Sequence, residues 1–188
     1  MKLRNKSPIL ICINLQMGFL EEEYWGGGRN NKDAEIICST IIKRWREIGL
    51  EVIHVRHSST NPESKLHKDN EGFQFNPITM PLDDEIVITK SVNSGFIGTN
   101  LKEVIDSKDG DTLVLVGLTT DHCVSTTTRM AGNYLYDTYL ISDATATFNK
   151  VGTNGEQFSS ELIHATALAS LNGEFATVID SNHLFKML

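Results

Sequence analysis

Six short apolar runs, separated by stretches of helical periodicity, constrain this chain to a parallel β-sheet covered by helices. The runs fall at residues 9–15, 51–56, 86–89, 112–117, 138–142 and 176–179, and two of them are nearly all apolar. Such runs suit strands buried on both faces. Between the first two, Ala34, Ile37, Ile41, Trp45 and Ile48 recur at three- and four-residue steps, and Gly49 supplies a stop. A short helix is expected after Thr99, turning Leu101, Val104 and Ile105 inward. Another begins near His122 and buries Thr127, Met130, Ala131 and Tyr134. A last one covers 159–171 and ends at Asn172-Gly173. The irregular stretches are 18–30, 57–84 and 148–155. In a sheet of this kind the loops after strand ends build the site.

No repeat, low-complexity tract or linker interrupts the pattern, so the 188 residues are expected to form one domain over 1–188. Hydrophobic residues make up 40% and charged residues 22%, which excludes a disordered or fibrous chain. The net charge of −7 is scattered and offers no nucleic-acid surface. The only clear charge run, Glu21-Glu22-Glu23, reads as a solvated loop. No apolar run approaches the roughly 20 residues of a membrane span. The basic N-terminal residues lead into a strand-like run rather than a signal-peptide cleavage site. Cys12, Cys38 and Cys123 are odd in number and unrelated in spacing, which suits free thiols in a reducing cytoplasm.

Cys123 is the main chemical candidate. It lies where the run ending at Gly117 meets the start of a helix, so its sulfur sits at the C-terminal edge of the sheet. The positive helix end there favours a thiolate. Cys12, within a strand, and Cys38, on a helix, read as small buried hydrophobes. Lys90 ends its own strand; parallel strands open onto one edge, so its ammonium can stand beside Cys123 rather than at the surface. Asn14 ends the first strand on that edge, but an amide cannot act as a general base. His54 reads as a core or sheet-face residue. His57, His67 and His122 are loop-associated and lack metal-ligand spacing. Gly26-Gly-Gly28 lacks the Lys-Ser/Thr of a phosphate loop and reads as a turning loop, with Tyr24 and Trp25 available to stack on a substrate.

The segments Gly117-Leu-Thr-Thr-Asp-His-Cys123-Val, Thr128-Arg-Met-Ala131 and Ser142-Asp-Ala-Thr145 together resemble the isochorismatase-like cysteine hydrolases, which include nicotinamidases and carbamoyl-amide hydrolases. The resemblance extends to Ile88-Thr-Lys90, Ser94-Gly-Phe96, Gly98-Thr99, Gln16 and Phe19, and spans nearly the whole chain in order. It implies a three-layer α/β/α, Rossmann-like fold with a six-stranded, mostly parallel sheet, and a homodimer or homotetramer. It also implies roles: Cys123 as nucleophile, Lys90 as stabiliser of its thiolate, and a cis Leu118–Thr119 bond that turns the Thr119 N–H, with that of Cys123, toward an oxyanion. Phe19, Tyr24, Trp25, Phe96 and His122 are expected as walls of a small-molecule pocket, with no cofactor or metal.

Two departures shape the expected activity. The aspartate that serves the family as general acid/base is Asn14 here. Where nicotinamidases carry an Asp-x-His metal motif, this chain reads Arg56-His57-Ser-Ser59, which speaks against a metal-dependent nicotinamidase. The presence of Cys123 speaks against true isochorismate hydrolysis. Losing a positioned acid/base group costs roughly 10²–10⁴-fold. Either another carboxylate (Glu21, Glu22, Glu23 or Asp121) substitutes, or the leaving group needs little protonation, or the fold is repurposed for binding. A thiol-redox role has less support, since no resolving cysteine lies near Cys123 in sequence. The sequence favours a cytoplasmic hydrolase that cleaves a small C–N substrate through a Cys123 thioester.

Overall fold

The computed structural model describes residues 3–108 and 110–188. Its strands are β1 (Ile9–Ile13), β2 (Val52–His57), β3 (Ile86–Lys90), β4 (Thr112–Leu118), β5 (Asp137–Ala146), β6 (Lys150–Val151), β7 (Gln157–Phe158) and β8 (Thr177–Ile179). Its α-helices are α1 (Glu22–Trp25), α2 (Ala34–Glu47), α3 (Leu101–Asp106), α4 (Ser125–Asn133), α5 (Ser160–Leu171) and α6 (Ser181–Met187). Six strands form one sheet in the order β3-β2-β1-β4-β5-β8, and every neighbouring pair is parallel. β6 and β7 form a separate antiparallel ribbon.

Strand alternation sorts the apolar runs between two cores. Ile9, Ile11, Ile13, Leu113 and Leu115 enter one core with Leu101 and Ile105 of α3, Ala131 of α4 and Leu171 of α5. Leu10, Cys12, Val114 and Val116 enter the other with Cys38, Ile41, Ile42 and Trp45 of α2 and Leu184 of α6. Each large apolar side chain so buried contributes roughly 1.5–3 kcal/mol. The resulting three layers, with helices on both sheet faces, are the α/β/α architecture expected. The Trp45 indole N–H is satisfied by the Pro8 carbonyl at 3.0 Å.

Several boundaries differ from expectation. β5 runs on to Ala146 because, past an irregularity in register, Thr145 and Ala146 pair with Gly117 and Leu118. α6 lacks a long periodic run, but Asp180 caps it by accepting the His183 N–H at 2.7 Å, and Leu184 anchors it in the core. The expected loop 18–30 contains the single turn α1, and β6 begins within 148–155. Tyr134, expected inside α4, is instead exposed at its C-terminus and packs edge-on against Phe96.

The strand order reverses between β1 and β4, which opens a crevice at the carboxyl ends of those strands. Gly117 permits their close approach. Its φ is 118°, and a β-carbon there would collide with the Ile13 carbonyl oxygen. Asn14 follows β1, His57 ends β2, Lys90 ends β3 and Thr119 follows β4, so all four meet at this crevice.

Candidate active site

A cavity of about 160 Å³ occupies the crevice, lined by Asn14, Phe19, Trp25, His57, Ser64, Leu66, Asn93, Thr119, His122, Cys123 and Lys150. A larger depression lies by Lys6, Asp106 and Asp137, but it is wide open and its lining holds no cysteine among the described residues. The crevice is the better candidate because it joins a thiol to buried polar groups.

After β4 the chain forms one wide π-turn over Thr120–Val124, which carries Cys123 into the cavity wall, and then enters α4. Lys90 reaches the sulfur from behind, with Nζ donating to Cys123 Sγ at 3.1 Å. The same ammonium donates to the Val92 carbonyl at 3.1 Å and meets His57 Nδ1 at 3.2 Å. Its three N–H bonds therefore have three acceptors, although the residue is only 2% exposed. Burial pulls the Lys90 pKa down, and the neighbouring Cys123 opposes that shift.

His57 is neutral for two reasons. Burial and then the Lys90 charge lower its pKa to about 4, against the opposing pull of the Val92 carbonyl. An ammonium can only donate, so Nδ1 must accept and the ring proton resides on Nε2. Gln16 holds this histidine in place: its Oε1 accepts the His57 N–H at 2.8 Å, and its Nε2 donates to the His57 carbonyl at 3.0 Å. Gln16 Nε2 also donates to the Phe73 carbonyl at 2.9 Å.

Asn14 is fully buried with φ 51°. Its Nδ2 donates to the Leu118 carbonyl at 3.0 Å, while Oδ1 has no hydrogen-bond partner. The Leu118–Thr119 peptide bond is cis. No Asp or Glu lines the cavity among the described residues. Asp121 accepts from Thr147 Oγ1 at 2.5 Å and faces His122 and Lys150. Glu21 is paired with Lys65 at 2.6 Å, and Glu22 with Lys32 at 2.7 Å.

The isochorismatase domain matches residues 8–183. The chain belongs to the isochorismatase family. This is a family of hydrolases, and the present member is 48% identical over 175 residues to an uncharacterized isochorismatase family protein, YrdC, of Bacillus subtilis, spanning 93% of this chain and 92% of that one. A solved structure from Chromobacterium violaceum, assigned to the isochorismatase family of hydrolases, is 34% identical with a TM-score of 0.93, covering 100% of this chain and 96% of that one. A more distant relative is the ureidoacrylate amidohydrolase RutB of Methylobacterium radiotolerans. It is 29% identical over 123 residues, 64% of this chain and 44% of RutB.

Of the residues singled out from the sequence of this isochorismatase-family protein, Asn14, Phe19, Trp25, Thr119, His122 and Cys123 all line the cavity. Lys90 lies directly behind it, and Leu118 packs beneath it with Phe19 and Ala146. Phe19 and Trp25 stack with centroids 4.7 Å apart to form one wall. Two expected wall residues are not brought to the cavity. Tyr24 stands edge-on behind Trp25 and is 47% exposed, because the single turn of α1 points successive side chains apart. Phe96 is drawn into the core beneath Tyr134 and Tyr136. His57, Asn93, Ser64, Leu66 and Lys150 were not anticipated as wall residues. Only His57 had a usable signal, its place at the end of the apolar run 51–56, on the sheet edge where Lys90 also ends its strand.

Proposed function

We propose that this protein hydrolyses a C–N bond of a small amide-type molecule through a thioester on Cys123. The observation that carries this reading is the buried Lys90 ammonium 3.1 Å from the Cys123 sulfur at the wall of a partly open cavity. A lysine held against a thiol favours the nucleophilic thiolate. The sulfur attacks the substrate carbonyl carbon, and the N–H groups of Thr119 and Cys123 receive the developing oxyanion. One such donor contributes about 3 kcal/mol to the transition state. The amine departs with a proton, and water then releases the acid and regenerates Cys123. The amidohydrolase RutB among the relatives supports the C–N chemistry. The cavity limits the reacting end of the substrate to a few heavy atoms, since an engineered cavity of about 150 Å³ accommodates benzene.

The second reading, a binding protein on a hydrolase fold, draws on Asn14. It stands where the family resemblance implies an acid/base aspartate, and its amide cannot exchange a proton. A panel of primary amides and N-carbamoyl compounds, assayed for ammonia release, separates the two readings. Turnover abolished in Cys123→Ala supports the hydrolase. Thermal stabilisation by panel members without any turnover supports binding.

The proposal places a small-molecule hydrolase in the cytoplasm, needing no cofactor and binding neither nucleic acid nor membrane. All three cysteines are unpaired, which suits a reducing compartment. No helix among the described residues is long and apolar enough to cross a membrane. A homodimer or homotetramer is supported by α5, whose outer face exposes Leu162, Ala165, Thr166 and Ala169 at helical spacing.

A further inference from the structure

Among the described residues, the cavity holds the candidate nucleophile Cys123 but no carboxylate to carry the leaving group's proton. We propose that Lys90 and His57 form a two-step proton relay that supplies this function. The inference rests on reading Cys123 as the nucleophile. Geometry carries it: Lys90 Nζ lies 3.1 Å from Cys123 Sγ and 3.2 Å from His57 Nδ1, and His57 also lines the cavity. The ring therefore connects the buried ammonium to the space where substrate reacts. Nδ1 faces Lys90, so the opposite nitrogen, Nε2, carries the proton. The Val92 carbonyl also lies against the ring, but it already accepts from Lys90, and Nε2 makes no hydrogen bond to another side chain among the described residues. Its donor is available to a ligand.

The protons balance over one turnover. When the C–N bond breaks, Nε2–H passes its proton to the departing nitrogen, and Lys90 passes one of its protons to Nδ1. The thioester forms beside a neutral Lys90 amine and a neutral His57 protonated on Nδ1. A water then adds to the thioester carbonyl and gives a proton to Nε2. Nδ1 returns its proton to Lys90 as the C–S bond breaks, which restores the ammonium and the thiolate.

Two features fit this exchange. Burial makes Lys90 a stronger acid than a surface lysine, and His57 resists lasting protonation, so neither group traps the proton. The Gln16 clamp on both backbone polar groups of His57 holds the ring in the register the relay needs. Asn14 assists without exchanging a proton. Its Nδ2 is committed to Leu118, so the partnerless Oδ1 can accept an N–H from the leaving group.

Para-nitrophenyl acetate provides the test because its leaving anion departs without a proton. After acylation Lys90 is therefore still an ammonium and His57 still carries its proton on Nε2, so the pair must release one proton to solvent through Nε2, with Lys90 refilling Nδ1, before Nε2 can take the proton of the attacking water. Wild type, His57→Asn and His57→Gln are compared by the initial burst, the steady-state rate and intact mass. Both variants retain a side-chain oxygen that can accept from Lys90, but neither can exchange protons between two nitrogens. The relay predicts a preserved burst, accumulation of acetyl-Cys123 and a steady-state rate lower by roughly 100-fold or more. A burst with a steady-state rate within tenfold of wild type in both variants overturns the relay and leaves the nucleophile standing. Loss of the burst along with the steady-state rate makes His57 a support for Lys90 and also overturns the relay. If wild type shows neither a burst nor acetylation of Cys123, the nucleophile reading fails and the relay with it.

Discussion

Replacing Lys90 with methionine removes the ammonium beside Cys123 while filling most of the space left by its stem. At the 3.1 Å separation of Nζ and Sγ, and with an effective dielectric of about 20, the gross attraction between the two charges is about 5 kcal/mol. Removing both ions from water offsets a large part of that. A net contribution of about 1.5–3 kcal/mol, the usual range for a charged hydrogen bond, is the relevant scale. Since about 1.36 kcal/mol corresponds to tenfold, Lys90→Met is expected to slow Cys123 alkylation by iodoacetamide roughly 10- to 100-fold near neutral pH. Peptide mass mapping reads each cysteine separately. Cys12 and Cys38 act as internal controls, because both are fully buried and burial pushes their thiol pKa values up. In wild type Cys123 should label far ahead of both. Equal labelling of the three in wild type, or an unchanged Cys123 rate in a folded Lys90→Met protein, refutes the argument.

Gly117→Ala places a β-carbon against the Ile13 carbonyl at a positive φ, so a loss of about 3 kcal/mol or more is expected, read as a lower urea midpoint; an unchanged midpoint contradicts the close approach of β1 and β4. His54, His57 and His164 all have pKa values lowered by burial, so the unfolded chain binds protons that the folded chain refuses. Their contribution to stability is complete above about pH 6.5 and is lost as pH falls toward their folded values, about 4 for His57. Urea midpoints should therefore drop between about pH 7.5 and 5, by less in His57→Asn, and equal midpoints would count against buried neutral histidines. Leu162 is 49% exposed on α5, and Leu162→Glu is expected to shift an oligomer toward monomer in light scattering without unfolding it; an unchanged mass excludes that face as the interface.

The sheet was largely legible because its strands carry their own evidence. The apolar runs around Ile11, Ile53 and Val114 are long enough to require burial on both sides, and parallel strands open at one edge. That logic brought Asn14, Lys90 and Cys123 together before any coordinates. The aromatic wall was only half legible. Phe19 and Trp25 face the cavity and Tyr24 does not, because the direction of each side chain depends on the turn of α1. Phe96 has the composition of a wall residue, yet it is held in the core by two tyrosines from the end of α4 and the start of β5.

The amino-acid sequence by itself determined the layered α/β architecture, the thiol at the end of β4 and the absence of the expected carboxylate at Asn14. These follow from local periodicity and from residue identity at strand ends. Only the tertiary structure decided which groups stand beside Cys123 in place of that carboxylate. Asp121, Glu21 and Glu22 are engaged elsewhere, while β2 and β3 pair in a register that sets His57 against Lys90. These two residues are 33 positions apart. Their contact depends on strand pairing and on the Gln16 clamp, and no pattern of nearby residues encodes it.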